Sequence, residues 1–211
     1  MAERQKSMTK KELVRDIVCT EFAMFDQVQN QGGRADCQDN WPAFSLMRGA
    51  QFLAWDEKTL LSYREDLARA EEEGRNPVSE KYAYMMEYSS PEEFEQIRNR
   101  LPVCSPEKLE LIEEALKIFL RQTEDFMEKY PSFRRRSRPI YAEGDSPNFT
   151  SIETYTRGEL KTYSEETLHS YLEWMKKEEA EGRKIVNQIY ENTVYGYGYS
   201  SLEEADRAQR K

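Results

Sequence analysis

Part of this chain occurs twice. Residues 57–82 read EKTLLSYREDLARAEEEGRNPVSEKY and residues 165–190 read EETLHSYLEWMKKEEAEGRKIVNQIY, with 12 of 26 positions identical and no gap. Chance supplies about two or three such identities in so biased a composition. After a three-residue insertion the match resumes, with Tyr88-Ser89-Ser90-x-Glu92-Glu93 answered by Tyr199-Ser200-Ser201-x-Glu203-Glu204. Upstream it is fainter: Pro42-x-Phe44-Ser45 answers Pro147-x-Phe149-Thr150, and Thr20-Glu21 answers Thr123-Glu124. The halves are residues 8–101 and 106–211, joined through Pro102 and Pro106. A repeated unit that cannot cover its own apolar face buries it against its copy, so the expectation is one domain of two similar halves about a pseudo-twofold axis.

The period inside each half is helical. Leu13, Ile17, Glu21, Met24 and Val28 form one stripe, with Val14, Val18, Phe22 and Phe25 beside it. Asn40-Trp41-Pro42 and Ser105-Pro106-Glu107 read as a capping residue followed by a first-turn proline. Ser146-Pro147 is expected to open the counterpart of the Pro42 helix. Gly74 and Gly182 are expected to end the paired helices of the repeat. No stretch alternates convincingly enough for a strand, so the fold class is all-α.

Composition removes several functions. The mean hydropathy is −0.92, but 12% of residues are aromatic, too many for a disordered chain. With 31 basic against 40 acidic residues the net charge is −9, which argues against general binding to nucleic acid or to an anionic membrane surface. No apolar run is long enough to span a bilayer, and no signal peptide is visible. Cys19, Cys37 and Cys104 have neither zinc nor disulfide spacing; they read as reduced thiols in a cytoplasmic protein. The sole histidine, His169, leaves Glu166-x-x-His169 one pair short of a di-iron set and makes a hydrolytic triad improbable. No metal site is expected, and the sequence names no cofactor.

Polar residues inside apolar stripes are the candidates for chemistry. Glu21 lies within the first stripe, and an ionised carboxylate in a core must be paired, hydrogen-bonded or protonated. Arg48 and Gln51 sit three apart on the stripe of Phe44, Met47 and Trp55; a guanidinium among aromatics suits a carboxylate or phosphate. Glu21 and Arg48 are therefore either a catalytic pair or an ion pair that only sets packing, with Glu153, the Phe44/Phe149-register counterpart of Arg48, as the other partner for the guanidinium. Asn30, Gly32, Gly33, Arg34 and Gln38 form a compact loop whose glycines let backbone amides approach a ligand, although it matches no phosphate-loop pattern. Tyr63 completes the expected ligand-binding set with Gln51 and Glu153. Arg134, Arg135, Arg136 and Arg138 form a basic cluster, and Tyr195-Gly196-Tyr197-Gly198-Tyr199 is expected to resist helix and to cover either the joint or a ligand.

The run Glu21-Phe22-x-x-Phe25-x-x-Val28-x-Asn30-x-Gly32-Gly33-Arg34-Ala35-x-Cys37-Gln38, followed by Met47-Arg48-x-x-Gln51-Phe52 and Trp55, resembles a bacterial domain-of-unknown-function family. Glu153-Thr154-Tyr155-x-Arg157-Gly158-Glu159-Leu160 and Asn192-Thr193-Val194 resemble it as well. The resemblance implies a bacterial, anaerobe-associated, cytoplasmic protein, and brings no activity, cofactor or catalytic residue with it. Two functions follow as expectations. One is a small-molecule enzyme or binding protein, its anion-bearing metabolite held between the halves. The other is a helical interaction or regulatory module with a protein partner, which the resemblance extends to a nucleotidyltransferase-like protein.

Overall fold

A computed structural model describes residues 8–29, 33–146 and 149–210, and within them the protein is all-α. The first half runs α1 (Lys10–Asp26), α2 (Trp41–Leu53), α3 (Glu57–Glu72), α4 (Pro77–Ser89) and α5 (Pro91–Ile97). The second runs α6 (Pro106–Lys129), α7 (Pro131–Arg136), α8 (Ile152–Leu160), α9 (Glu165–Ala180), α10 (Ile185–Gly196) and α11 (Leu202–Ala208). Among the described residues only Ser146 and Phe149 form a β-type pair, as an isolated bridge.

Local chemistry sets most helix ends. Thr9 and Glu12 make a reciprocal capping box on α1. Asn40, Asp56, Asn76, Ser105 and Ser164 each accept a backbone N–H from the first turn of the helix they precede. Gly74 and Gly182 take positive φ, +68° and +77°, and the amides of Arg75 and Arg183 reach back to the carbonyls of Ala70 and Glu178. That left-handed turn is where glycine is favoured after a helix. The helix expected at Ser146-Pro147 starts later, at Ile152, because Ser151 caps Thr154 while Asp145 accepts from Ser151 and from the Thr154 hydroxyl; Pro147 lies outside the described residues. The Tyr-Gly run also departs from expectation: α10 continues through Gly196, and only Gly198, at φ +86°, turns the chain.

Packing between the halves is reciprocal. α1 lies on α2, α3 and α4, as α6 lies on α8, α9 and α10; across the seam α2 packs on α10, α4 on α8 and α3 on α9. Trp55 sits at the centre of the seam, fully buried, with the rings of Phe52, Tyr63, Tyr163 and Tyr171 at 4.9–5.7 Å. Such edge and tilted contacts add to the burial of large aromatic surface. Two residue pairings expected from the sequence meet different surroundings. Glu21 is buried while Glu124 is exposed, and the burial pattern of α6 puts Thr123 in the place of Glu21. Arg48 is buried, whereas Glu153 pairs with Arg157 on its own helix; carrying the Thr59/Thr167 alignment back without a gap would instead set Arg48 against Thr156 and Gln51 against Glu159.

The α4–α8 crossing depends on one missing side chain. A Cβ on Gly158 would lie 2.9 Å from both the Lys81 carbonyl and Met85 Cγ. Gly158→Ala is therefore expected to destabilise the protein by about 1–2 kcal/mol, overpacking outweighing the better helix propensity of alanine. Urea unfolding checks this, and a stabilised variant would contradict the close approach.

Candidate functional site

Glu21, Arg48, Gln51 and Tyr63 do meet, in the interior and with four residues that sequence reasoning had not placed there, Lys81, Tyr155, Glu159 and Tyr163. Arg48 donates through Nε to Glu21 Oε2 at 2.6 Å and through Nη2 to Glu21 Oε1 at 2.5 Å. Its Nη1 reaches Gln51 Oε1 at 2.7 Å and both oxygens of Glu159 at 3.0 and 3.1 Å. Glu159 also accepts from Gln51 Nε2 and the Tyr163 hydroxyl, each at 2.7 Å, and from Lys81 Nζ at 3.1 Å. The Tyr63 hydroxyl donates to Glu21 at 2.7 Å, and Lys81 to the Tyr155 hydroxyl at 2.6 Å. Two carboxylates and two cations thus balance, contributed by α1, α2, α4 and α8. Glu21, Arg48, Lys81 and Glu159 are 2%, 7%, 6% and 5% exposed.

Electrostatics follow from that closure. Burial alone would raise the Glu159 carboxyl; Arg48 and Lys81, with the Tyr163 and Gln51 hydrogen bonds, outweigh it and hold the group well below the usual carboxylate range. Burial lowers the tendency of Arg48 and Lys81 to stay charged, but the facing carboxylates and the Tyr155 oxygen reverse this and keep both protonated. Burial, then the adjacent carboxylate, pushes the Tyr63 and Tyr163 hydroxyls far above the ordinary tyrosine range, so both remain donors. All four carboxylate oxygens and all three Arg48 nitrogens are engaged inside the protein. Glu21 and Arg48 hold each other in this geometry.

The remaining expected positions lie elsewhere. Glu153 pairs with Arg157 at 2.8 Å and accepts the Ala142 amide at 3.0 Å. Arg34 is clamped by Asp26 and Asp39 at 2.5 and 2.9 Å. Gln38 is buried and closes the C-terminus of α1, donating to the carbonyls of Phe25 and Val28 at 2.9 and 3.0 Å. Gly33 has φ +87°; Asn30 and Gly32 lie outside the described residues. Arg34 and Gln38 thus clasp the end of α1. Arg134 and Arg138 line an open depression of about 910 Å³ together with Glu124, Asp125 and Glu128, and Arg138 donates to Thr150.

A cleft of about 490 Å³ opens at the seam, with walls from α3, the start of α4, the start of α6 and the α8–α9 link. Asp66, Arg69, Arg75, Glu80, Lys108 and Tyr163 line it. Arg75 binds Glu80 at 3.1 Å and Glu73 at 2.8 Å. Asp66 accepts the Ser164 amide at 2.8 Å and the Thr167 hydroxyl at 2.7 Å, so a carboxylate of one half caps a helix of the other. Lys108 donates to the Lys161 carbonyl at 2.8 Å and makes no ion pair among the described residues. Burial lowers its ammonium below the usual lysine value, whereas burial raises the Glu80 carboxyl despite Arg75. Tyr163 belongs to both places: it lies in the cleft wall, and its hydroxyl enters the buried network.

Lys81 and Glu159 escaped sequence reasoning because each is an ordinary surface-type residue on an amphipathic helix. The available signal was the repeat itself, since the register that aligns the paired helices sets Glu159 against Gln51. A family model described as "Protein of unknown function (DUF4125)" matches residues 11–207. No curated protein and no solved structure matches the chain.

Proposed function

We propose, on the premise that this chain belongs to the DUF4125 family and takes no assigned activity from it, that it binds a small anion-bearing metabolite in the seam cleft. The observation that carries this reading is Lys108, a half-buried ammonium in a cleft between the halves whose bonded partner is a carbonyl rather than a carboxylate. A carboxylate or phosphate would complete it, with Arg69, more than half exposed at the rim, as the second cation. The volume is in the range of small-metabolite sites. In this reading Glu21, Arg48, Lys81 and Glu159 are the frame behind the cleft wall, acting through Tyr163 rather than touching the ligand. Catalysis there would use the oppositely displaced Lys108 and Glu80 as amine and acid.

Two further points belong to the same proposal. The reciprocal helix packing and the shared caps of the repeat support a tandem duplication of one helical unit. The free thiols, two of them exposed, support a reducing, cytoplasmic location.

The test is thermal unfolding against a panel of small mono- and dicarboxylates, inorganic phosphate and pyrophosphate. A ligand at 100 times its Kd stabilises by about 2.7 kcal/mol, or roughly 5–10 °C in a domain of this size. At least one member should give such a shift, and Lys108→Met should abolish it. The reading is wrong if no member stabilises the protein, or if the shift survives in both Lys108→Met and Arg69→Met.

A further inference from the structure

We infer that the outer face of α1 and α2 is a docking groove for an amphipathic helix of a partner protein whose flanks are acidic. The groove, about 260 Å³, runs between the two helices over Val14, Val18, Trp41, Gly49 and Leu53. Trp41 and Leu53 are 40% and 38% exposed although both are large and apolar, and exposed apolar grooves of this kind mark sites where a helix lays down its apolar stripe.

Gly49 says what kind of object fits. It lies inside α2, where glycine is among the least favourable residues for a helix. The other two α-helical glycines of this kind have an internal reason: a Cβ on Gly158 would strike Lys81 and Met85 on α4, and one on Gly196 would come within 3.0 Å of Leu46 on α2. Around Gly49 a Cβ would meet nothing within 4 Å, and its φ is helical. Nothing inside the described structure calls for the missing side chain. Its absence lets the backbone of a second helix approach α2 closely, with Ser45 one turn earlier keeping the same side shallow.

The rim says which charge the occupant carries. Lys11 and Arg15 stand along the α1 edge of the groove, both exposed. Neither makes an ion pair among the described residues, in a chain of net charge −9. Rim cations of this kind steer an acidic partner and reject basic ones. The groove and the seam cleft share no lining residue, so this inference stands apart from the metabolite reading.

A display library of helices about four turns long, with an aliphatic stripe and randomised flanks, tests it. Binders are selected on the full chain and counter-selected on Gly49→Leu, which fills the groove. Gly49→Ala should raise the Tm by about 2–4 °C, showing that the position tolerates a side chain. The expected winners carry Glu or Asp on their flanks. They should lose at least tenfold in affinity on Gly49→Leu, and on Lys11→Glu/Arg15→Glu, a surface change that leaves the fold intact. Absence of any Gly49→Leu-sensitive binder, or winners with neutral or basic flanks, overturns the inference. A concentration-dependent dimer in native mass spectrometry that Gly49→Leu abolishes also overturns it, assigning the groove to a second copy of this chain.

Discussion

Arg48→Met is expected to destabilise the protein by about 3–5 kcal/mol, with a fall in Tm on the order of 10 °C. The guanidinium reaches Glu21, Glu159 and Gln51. Without it, Glu21 keeps the Tyr63 hydroxyl and Glu159 keeps Lys81, Gln51 and Tyr163. A buried carboxylate that has lost its cation carries the desolvation penalty without the Coulomb energy that offset it. The intact network gives a smaller net contribution, because taking four charges out of water had already consumed most of their attraction. Arg48→Met/Glu21→Gln should therefore be more stable than Arg48→Met alone, since the second change removes the orphaned charge. Urea denaturation of the wild type, both single variants and the double variant measures this directly. A loss below about 1 kcal/mol for Arg48→Met would show that the network does not hold the helices together.

Stability should fall steeply in acid, and Glu159 should account for one proton of that fall. Its carboxyl is held low in the folded state by Arg48 and Lys81 against the opposing effect of burial, whereas in the unfolded chain it titrates near 4.3. The folded state therefore binds fewer protons in acid. The stabilisation is fully present above about pH 4.3 and is lost as pH falls toward the depressed folded value, at about 1.4 kcal/mol per pH unit for one group. Glu178, held low by the Arg183 hydrogen bond, and Asp206, held low by the Ser132 amide and Arg210 against burial, act in the same direction. Glu159→Gln should be less stable at neutral pH, because Arg48 and Lys81 lose a counter-charge. Its stability should also decline less steeply below pH 4, by about one proton's worth of slope. Free energies of unfolding between pH 2 and 7 decide the matter: if the variant and wild type lose stability in parallel, Glu159 is not a carboxylate charged by its neighbours.

Both experiments probe residues that were partly legible in advance. An acidic residue at position 21 and a guanidinium at position 48, each inside an apolar stripe, announced that charges had to meet in the interior, because isolated ones are too costly to bury. Their identity as partners was one of two possibilities, and the other, Glu153, turned out to serve Arg157 on its own helix. Lys81 and Glu159 gave no such notice: α4 and α8 are short and flanked by exposed charge, so periodicity alone left their orientation open. The loop from Gly33 to Gln38 was legible as a tight structure but not in its purpose, since Gln38 closes the end of α1 by hydrogen bonds to carbonyls that carry no sequence signature.

Helices, their capping residues, the glycines that end α3 and α9, and the matching letters of residues 57–82 and 165–190 were all written in the amino-acid order. Each rests on interactions a few residues apart or on direct repetition of letters. The Arg48–Glu159 contact, bridging 111 residues, and the cleft where Lys108 faces Asp66 and Arg69 came only from the packing of one half on the other. Pairing across such separations is chosen by the crossing of whole helices, which no local pattern specifies.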